Sequence, residues 1–375
     1  MNSKIGSYNR VGIDLAALAA NYQVMQNAVG AGVKVMAIVK SDAYGHGLLP
    51  VTKALYDAGA RSFGGAEVAE GVLLREAGIK GEITILLGAD AEFLPLIFEY
   101  DLQPVVVDLE NLKMLSGYAV QHNRQVKIHL KIDTGMGRLG IMPEDVPGYL
   151  DLLAKLPGVS LAGVMSHFPR ADDLDDRGYT EQQNRRFAEI AAEIRQRFEV
   201  AAVHIANSAA IMNFPETHCD LVRPGISLYG CFPGPEMVGH ALRLQPVMSF
   251  KTRVLQVKEV PAGYGISYAH TFLTERPSRL AVLPVGYADG YLRRIAGQAE
   301  VIINGCRVPI LGRVCMNACL ADITDLGQVE AGDEVVLMGR QGEAVITADE
   351  IARWSDTISY EILCLFGSSN QRVYL

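Results

Sequence analysis

Eight short aliphatic runs, spaced along the first 225 residues, constrain the fold more than any other feature of this chain. They read VKVMAIVK (33–40), SFGGA (62–66), EITILLG (82–88), LQPVVVD (102–108), QVKIHLKID (125–133), LAGVMSHF (161–168), AVHIANS (202–208) and DLVRPG (220–225). Between them lie segments with apolar residues at i, i+3, i+4 and i+7. The clearest is TEQQNRRFAEIAAEIRQRF (180–198), with Thr180 expected as its cap and Gln183 three residues on. Eight strand-helix units in succession are what an α/β (β/α)8 TIM-type barrel requires. An open doubly wound sheet is the alternative, and no Gly-x-Gly-x-x-Gly follows the first run to support it.

Beyond residue 240 the pattern changes. MSFKTRVLQVKEV, RLAVLPVG, AEVIING, RVPILGRV and GDEVVLMGR are strand-like, with turn signals GYG, NG and GD between them; helical pattern is confined to TADEIARWSDT (347–357). The division expected is a barrel over 1–240 and a mainly β domain over 241–375, with the first roughly ten residues open to joining the latter. With 34 basic and 42 acidic residues and no basic run, nucleic acid is not an expected partner. No apolar stretch reaches about 18 residues, nor is there a leader pattern at the start, so no membrane partner and a cytoplasmic location are expected. Six cysteines, all in the second half, are too sparse for a disulfide framework. The pair Cys315 and Cys319 lacks a second ligand pair, so no metal site is expected.

A barrel collects its chemistry at the C-terminal ends of its strands. Those ends supply Lys40, then Arg138 after the fifth run, His167, Asn207 with Ser208, and Arg223 with Gly225. A lysine amine can form a Schiff base. The hydroxyls of Tyr44 and Ser208, with backbone N–H groups around Gly225 and Ile226, can hold a phosphate. Lysine and phosphate cradle together suggest pyridoxal 5'-phosphate, and Arg223 at its ring nitrogen would leave that nitrogen unprotonated, because a guanidinium has no proton acceptor. Taken singly, each residue also has an ordinary reading: a snorkelling lysine, a hydrogen-bonded core histidine, a turn at RPG. Their joint position at the exits of one barrel favours the site. His46 reads as a structural residue bonding the loop backbone.

In nine blocks, and in order, the sequence resembles the alanine racemase family: AIVKSDAYGHG, KIDTGMGRLG, MSHF, HIANSAA, VRPGISLYG, GYGISYAHTF, VGYADGYLRR, GRVCMN and TISYE. The resemblance implies a barrel followed by a β domain, and a homodimer with shared active sites that interconverts L- and D-alanine, supplying D-alanine for bacterial peptidoglycan. It implies Lys40 as the cofactor lysine and one base, and Tyr268 of the partner subunit as the other. Arg138 and Met316 would bind substrate, His167 would pack on the cofactor ring, and His204 would back Arg223 at the ring nitrogen. Tyr44, Ser208, Gly225, Ile226 and Tyr360 would hold the phosphate, with Asn207 in support. Lys131 matches a lysine that is carbamylated in many members. Arg293, Arg313, Asp172 and Ile358 would line the substrate entrance.

Asn317, where many members carry an aspartate, and Pro169 with Arg170 after MSHF depart from the family pattern at the entrance. Two other readings stand beside this one. A serine or broad-specificity racemase, or a basic amino acid decarboxylase, could use the same fold, although the cysteine and acidic residues expected of the decarboxylases are not found. A non-catalytic cofactor-binding protein is the other, and Tyr268 argues against it.

Overall fold

A computed structural model describes residues 6–234, 237 and 241–375. The domain boundary expected at 240, and the first five residues of the leading segment, lie outside the described residues. Contacts divide the described residues into two compact units. One takes residues 18–43 and 48–245; the other takes those up to 17, 44–47 and 246–375.

The first unit is the barrel. After a leading strand β1 (Arg10–Ile13), which belongs to the other unit, come β2 (Lys34–Ile38), β3 (Ser62–Gly65), β4 (Glu82–Ile85), β5 (Gln103–Val106), β6 (Val126–Lys131), β7 (Val159–Met165), β8 (Ala202–His204) and β9 (Leu221–Val222). Every pairing is parallel, in the order β8-β7-β6-β5-β4-β3-β2-β9. The strands are nearly all buried, as expected where helices cover one face and the barrel interior the other. The seam between β8 and β9 closes through Asn207 bridging Arg223, with the Arg223 N–H donating to Ala206 O at 2.9 Å. Two of the expected site residues therefore also complete the barrel.

The helix expected over 180–198 runs Gly178–Arg197. Thr180 is not its cap. The helix begins two residues earlier, and Thr180 and Gln183 turn inward and are buried in its first turns. At the last runs the strands are short: β8 stops at His204, and Asn207 instead caps the helix Ser208–Asn213, its side chain accepting from Ala210 N at 3.1 Å. No helix among the described residues is long and apolar enough to cross a membrane.

The second unit is mainly β. Its ten-stranded sheet holds β1 between Met248–Arg253, to which it runs antiparallel, and Gln371–Tyr374, to which it runs parallel. The expected helix is present as Ala348–Trp354, capped by Thr347. A further helix, Ser359–Ser369, follows it, beyond the one helical segment expected in this domain. Residues 44–47 pack on this helix so closely that a Cβ on Gly367 would meet the Gly45 carbonyl at far less than contact distance. Alanine is better than glycine in a helix by about 1 kcal/mol, whereas driving a Cβ into a backbone carbonyl costs about 3 kcal/mol. The collision decides the sign: Gly367→Ala should lower stability in urea unfolding by about 2 kcal/mol.

Candidate active site

Lysine 131, the last residue of β6, is buried, and three strands of the barrel deliver further cations to its neighbourhood. Burial first, and then the charges of Arg223, Arg138 and Lys40, push its amine down to about 8. Among the described residues, the one carboxylate acting on it is Asp133, and that group is already engaged. Its Oδ1 accepts the N–H groups of Gly135, Met136 and Gly137 at 2.9, 2.8 and 3.1 Å, and its Oδ2 that of Arg138 at 3.1 Å. Burial works to raise the Asp133 pKa, but these donors outweigh it and hold the carboxyl below its ordinary value. The TGMGR loop is thereby wrapped around Asp133, which fixes the backbone from which Arg138 projects.

Arg223 is the electrostatic centre of this end of the barrel. It is buried, and burial pushes it down to about 10, which leaves it charged at neutral pH. Its Nη1 donates to His204 Nδ1 at 2.6 Å and His204 O at 3.0 Å; its Nη2 donates to Ser166 O at 2.5 Å, Ile205 O at 3.2 Å and His167 Nδ1 at 3.4 Å. Because a guanidinium only donates, these contacts dictate the tautomers behind it. His204 Nδ1 must accept, so its Nε2 carries the proton and donates to His129 Nδ1 at 2.9 Å. His129 Nε2 then carries its own proton to Gln103 Oε1 at 3.0 Å, near Thr84 Oγ1 at 3.3 Å. Burial and then Arg223 keep both rings uncharged, His129 down to about 3 and His204 well below its ordinary value. Gly163 makes the histidine contact possible, since a Cβ there would stand against His129 Nδ1 and 2.9 Å from His204 Nε2. His167 is also held well below its ordinary value, by burial and then by Arg223, Arg138, Lys131 and Lys40.

Beside Arg223 lies a cluster of donors. Ser208 Oγ accepts the N–H of Gly225 at 2.9 Å and that of Ser227 at 3.5 Å, so its own proton is directed to a different acceptor. Ile226 opens a buried 3-10 turn, where the first N–H groups have no partner in the turn itself. Among the described residues, no acceptor meets the Arg223 Nε–H. A cationic barrel mouth whose neighbouring carboxylate is consumed by its own loop, with hydroxyl and backbone donors left over, suits an anionic ligand. Pyridoxal phosphate fits that donor set.

Four further expected residues sit in the second unit around the loop 312–317. Tyr268 is 66% exposed and stands on a turn of positive φ, with Ser267 at 59°, Ala269 at 61° and His270 at 44°. Ser267 Oγ ties the turn down by donating to Arg313 O at 2.6 Å, and Ile266 roots the hairpin in a core with Val260, Leu280 and Leu311. Arg293 donates to Val314 O at 3.2 Å, and Met316 is 56% exposed. Tyr44 and Tyr360 pair in the same unit, their ring centroids 6.0 Å apart; burial and then Tyr360 and Cys364 push the Tyr44 phenol up. Ile358, exposed, begins the helix that carries Tyr360. Asp172 lies in the barrel unit, where a Cβ on Gly234 would come within 3.0 Å of its Oδ2. His46 Nδ1 lies 3.0 Å from Tyr44 O.

Thus Lys40, Lys131, Arg138, His167, His204 and Arg223 form one electrostatic group, with Ser208, Gly225 and Ile226 alongside. Sequence reasoning missed Asp133, His129 and Gln103. The Asp-Thr-Gly-Met-Gly order carried a signal for the first, since an aspartate before glycines commonly gathers the backbone N–H groups that follow it. His129 and Gln103 carried none, being ordinary strand residues until the barrel closes.

A family model described as alanine racemase, N-terminal domain, matches residues 13–233, and one described as alanine racemase, C-terminal domain, matches residues 247–374. An alanine racemase of Halothermothrix orenii is 42% identical over 379 residues, covering 100% of this chain and 98% of that protein. One of Geobacter sulfurreducens is 40% identical over 367 residues, covering 97% and 96%. Among solved structures, the alanine racemase of D-cycloserine-producing Streptomyces lavendulae superposes with a TM-score of 0.94 at 36% identity, covering 99% of this chain and 98% of that one. The Bartonella henselae alanine racemase, solved with covalently bound pyridoxal phosphate, gives 0.90 at 28% identity, covering 99% and 100%.

The buried histidines make the pH dependence of stability predictable. Unfolded, a histidine takes up a proton near pH 6.5; folded, His129 resists until about 3, and His204 and His167 resist as well. The unfolded chain therefore binds more protons below pH 6.5, and stability falls as pH falls, by about 1.4 kcal/mol per pH unit for each histidine. Urea unfolding of the cofactor-free protein between roughly pH 6.5 and 5 should give this slope, and His129→Gln should reduce it by one proton. Nitrogen-15 spectra at neutral pH should show His129 and His204 as Nε2–H tautomers.

Proposed function

The chain belongs to the alanine racemase family, and from that premise we propose that it interconverts L- and D-alanine on pyridoxal 5'-phosphate, with Lys40 and Tyr268 as the two bases. The observation that carries the chemistry is Arg223, a buried charged guanidinium braced by His204 and backbone carbonyls. When bound, the cofactor supplies an electron-withdrawing ring that spreads the negative charge left at Cα. An arginine facing its ring nitrogen cannot protonate it, which keeps that withdrawal moderate and favours returning the proton to Cα.

Each residue then has a defined task. Lys40 would hold the cofactor and would move a proton at one face of Cα. Tyr268 moves the proton at the other face. Two groups on opposite faces are the economical arrangement for inverting a carbon by proton transfer. A phenol needs nearby cations to act as a base at neutral pH, and the barrel mouth is rich in them. Ser208, the Gly225 and Ile226 backbone, Tyr44 and Tyr360 hold the phosphate, with Asn207 fixing the helix that bears Ser208. His167 would lie against the cofactor. Arg138 and the Met316 N–H orient the substrate carboxylate, while Arg293, Arg313, Asp172 and Ile358 line the approach. D-Alanine made in this way would feed bacterial peptidoglycan.

We further propose a homodimer in which each Tyr268 serves the partner's barrel. Supporting this, Tyr268 is two-thirds exposed, and Tyr264 and Leu273 of the same hairpin are exposed beside it. If the exchange is reciprocal, Lys40→Ala and Tyr268→Ala dimers are both inactive, while hybrids retain one intact site of two. Mixing the two variants after dissociation should restore L-alanine racemisation, followed by chiral chromatography, to roughly one quarter of the wild-type rate. No recovery, with subunit exchange shown by mass spectrometry, would refute the shared site; no D-alanine from the wild type would refute the function.

Lys131 is proposed to be carbamylated. Its depressed amine is partly unprotonated near neutral pH, and that form adds to the carbon of CO2 with loss of a proton from nitrogen. The product replaces a cation among cations by an anion beside Arg138. Protein equilibrated with 13C-bicarbonate should show a carbamate resonance that disappears in Lys131→Met.

A further inference from the structure

Directly after Lys40 the backbone does something L-residues avoid. Ser41, Asp42, Ala43 and Tyr44 have φ of 55°, 53°, 55° and 55°, a left-handed turn without a glycine in it. Single residues enter this region at a cost and successive ones are rare, so the turn must be held by its surroundings. Two of the restraints are local: Ala43 N donates to Val39 O at 2.8 Å, and Asp42 Oδ1 accepts Leu48 N at 2.6 Å. The third comes from a different strand-helix unit. Glu70 Oε1 accepts Ser41 N at 2.7 Å and Asp42 N at 3.4 Å.

The other oxygen of the same carboxylate, Oε2, accepts Ala66 N at 2.6 Å and Glu67 N at 3.4 Å, at the exit of β3. β2 and β3 are neighbours in the barrel, joined at this end by Val39 N donating to Gly64 O at 2.9 Å. One half-buried carboxylate thus collects four backbone N–H dipoles and locks two adjacent strand exits together. Glu70 lies in the first turn of the helix Val68–Glu76, where an acid ordinarily serves the helix start. That service accounts for Oε2 and leaves the Oε1 bonds unexplained.

We propose that Glu70 is a positioning residue for Lys40: its carboxylate clamps the left-handed turn and so fixes the direction from which the lysine leaves its strand. The inference rests on the reading of Lys40 as cofactor lysine and base. Glu70 itself touches neither cofactor nor substrate. Its loss acts through Lys40, so the proton-transfer rate should fall while the binding of alanine, a task of other residues, persists.

The test uses the holoenzyme with Glu70→Ala and Glu70→Gln, the latter keeping one acceptor oxygen, and Asp108→Ala as a control that removes a helix cap elsewhere in the barrel (Asn111 N to Asp108 Oδ1, 2.7 Å). Hydrogen exchange by mass spectrometry should quicken over 39–48 as well as 66–76 in Glu70→Ala, less so in Glu70→Gln, and over neither segment in Asp108→Ala. The kcat for alanine should drop about tenfold to hundredfold in Glu70→Ala with KM within about twofold, and recover partly in Glu70→Gln. Unchanged exchange over 39–48 would overturn the clamp; faster exchange there with wild-type kcat would overturn its positioning role. Should Glu70→Ala not fold, the same two readings are taken from Glu70→Gln. Failure of the underlying reading is separately visible, because borohydride would then still fix cofactor to Lys40→Ala protein, whatever the exchange pattern of the Glu70 variants.

Discussion

A charged guanidinium sealed inside a protein is costly unless its donors are met, and the bond from Arg223 to His204 at 2.6 Å is where that requirement is satisfied. Much else follows from it. The bond and its carbonyl partners draw β8 and β9 together at the seam, where Asn207 bridges Arg223. The direction of donation then propagates inward through His204 and His129 to Gln103, crossing β8, β6 and β5. Each ring is held neutral in a single tautomer. A chain of this kind has no freedom to reverse, because its first member cannot accept a proton.

The same guanidinium sets the character of the site. Lys40, Lys131, Arg138 and Arg223 influence one another, and the carboxylate nearest to them is bound up in four backbone N–H groups. An assembly of like charges is stable when an anion completes it. Phosphate, substrate carboxylate and a carbamate at Lys131 would each contribute to that balance, which ties cofactor binding, substrate binding and lysine modification to a single electrostatic need.

The barrel was legible because its strands are short aliphatic runs separated by helical pattern, and polar residues at the ends of several of them, Lys40, His167, Ser208 and Arg223 among them, were the site candidates. Local chemistry was less legible. Thr180 looked like a helix cap because the sequence around it fits one, yet tertiary packing turned it inward and started the helix earlier. Glu70 looked like any acid early in a helix; only the left-handed turn after Lys40, which propensity does not foresee, gives its second oxygen a purpose. His129 and Gln103 needed barrel closure to become neighbours of His204. What escaped the sequence were relations between strands.

The placement of β1 has a consequence for the order in which this chain can be completed. Both of its partners, Met248–Arg253 and Gln371–Tyr374, are made after the whole barrel. During synthesis β1 therefore waits for its sheet partners, whereas every strand of the barrel meets its neighbours before residue 223. The unit that carries Tyr268 is finished only once residues 371–374 have been made, and a fragment beginning at 246 would lack an interior strand of its sheet.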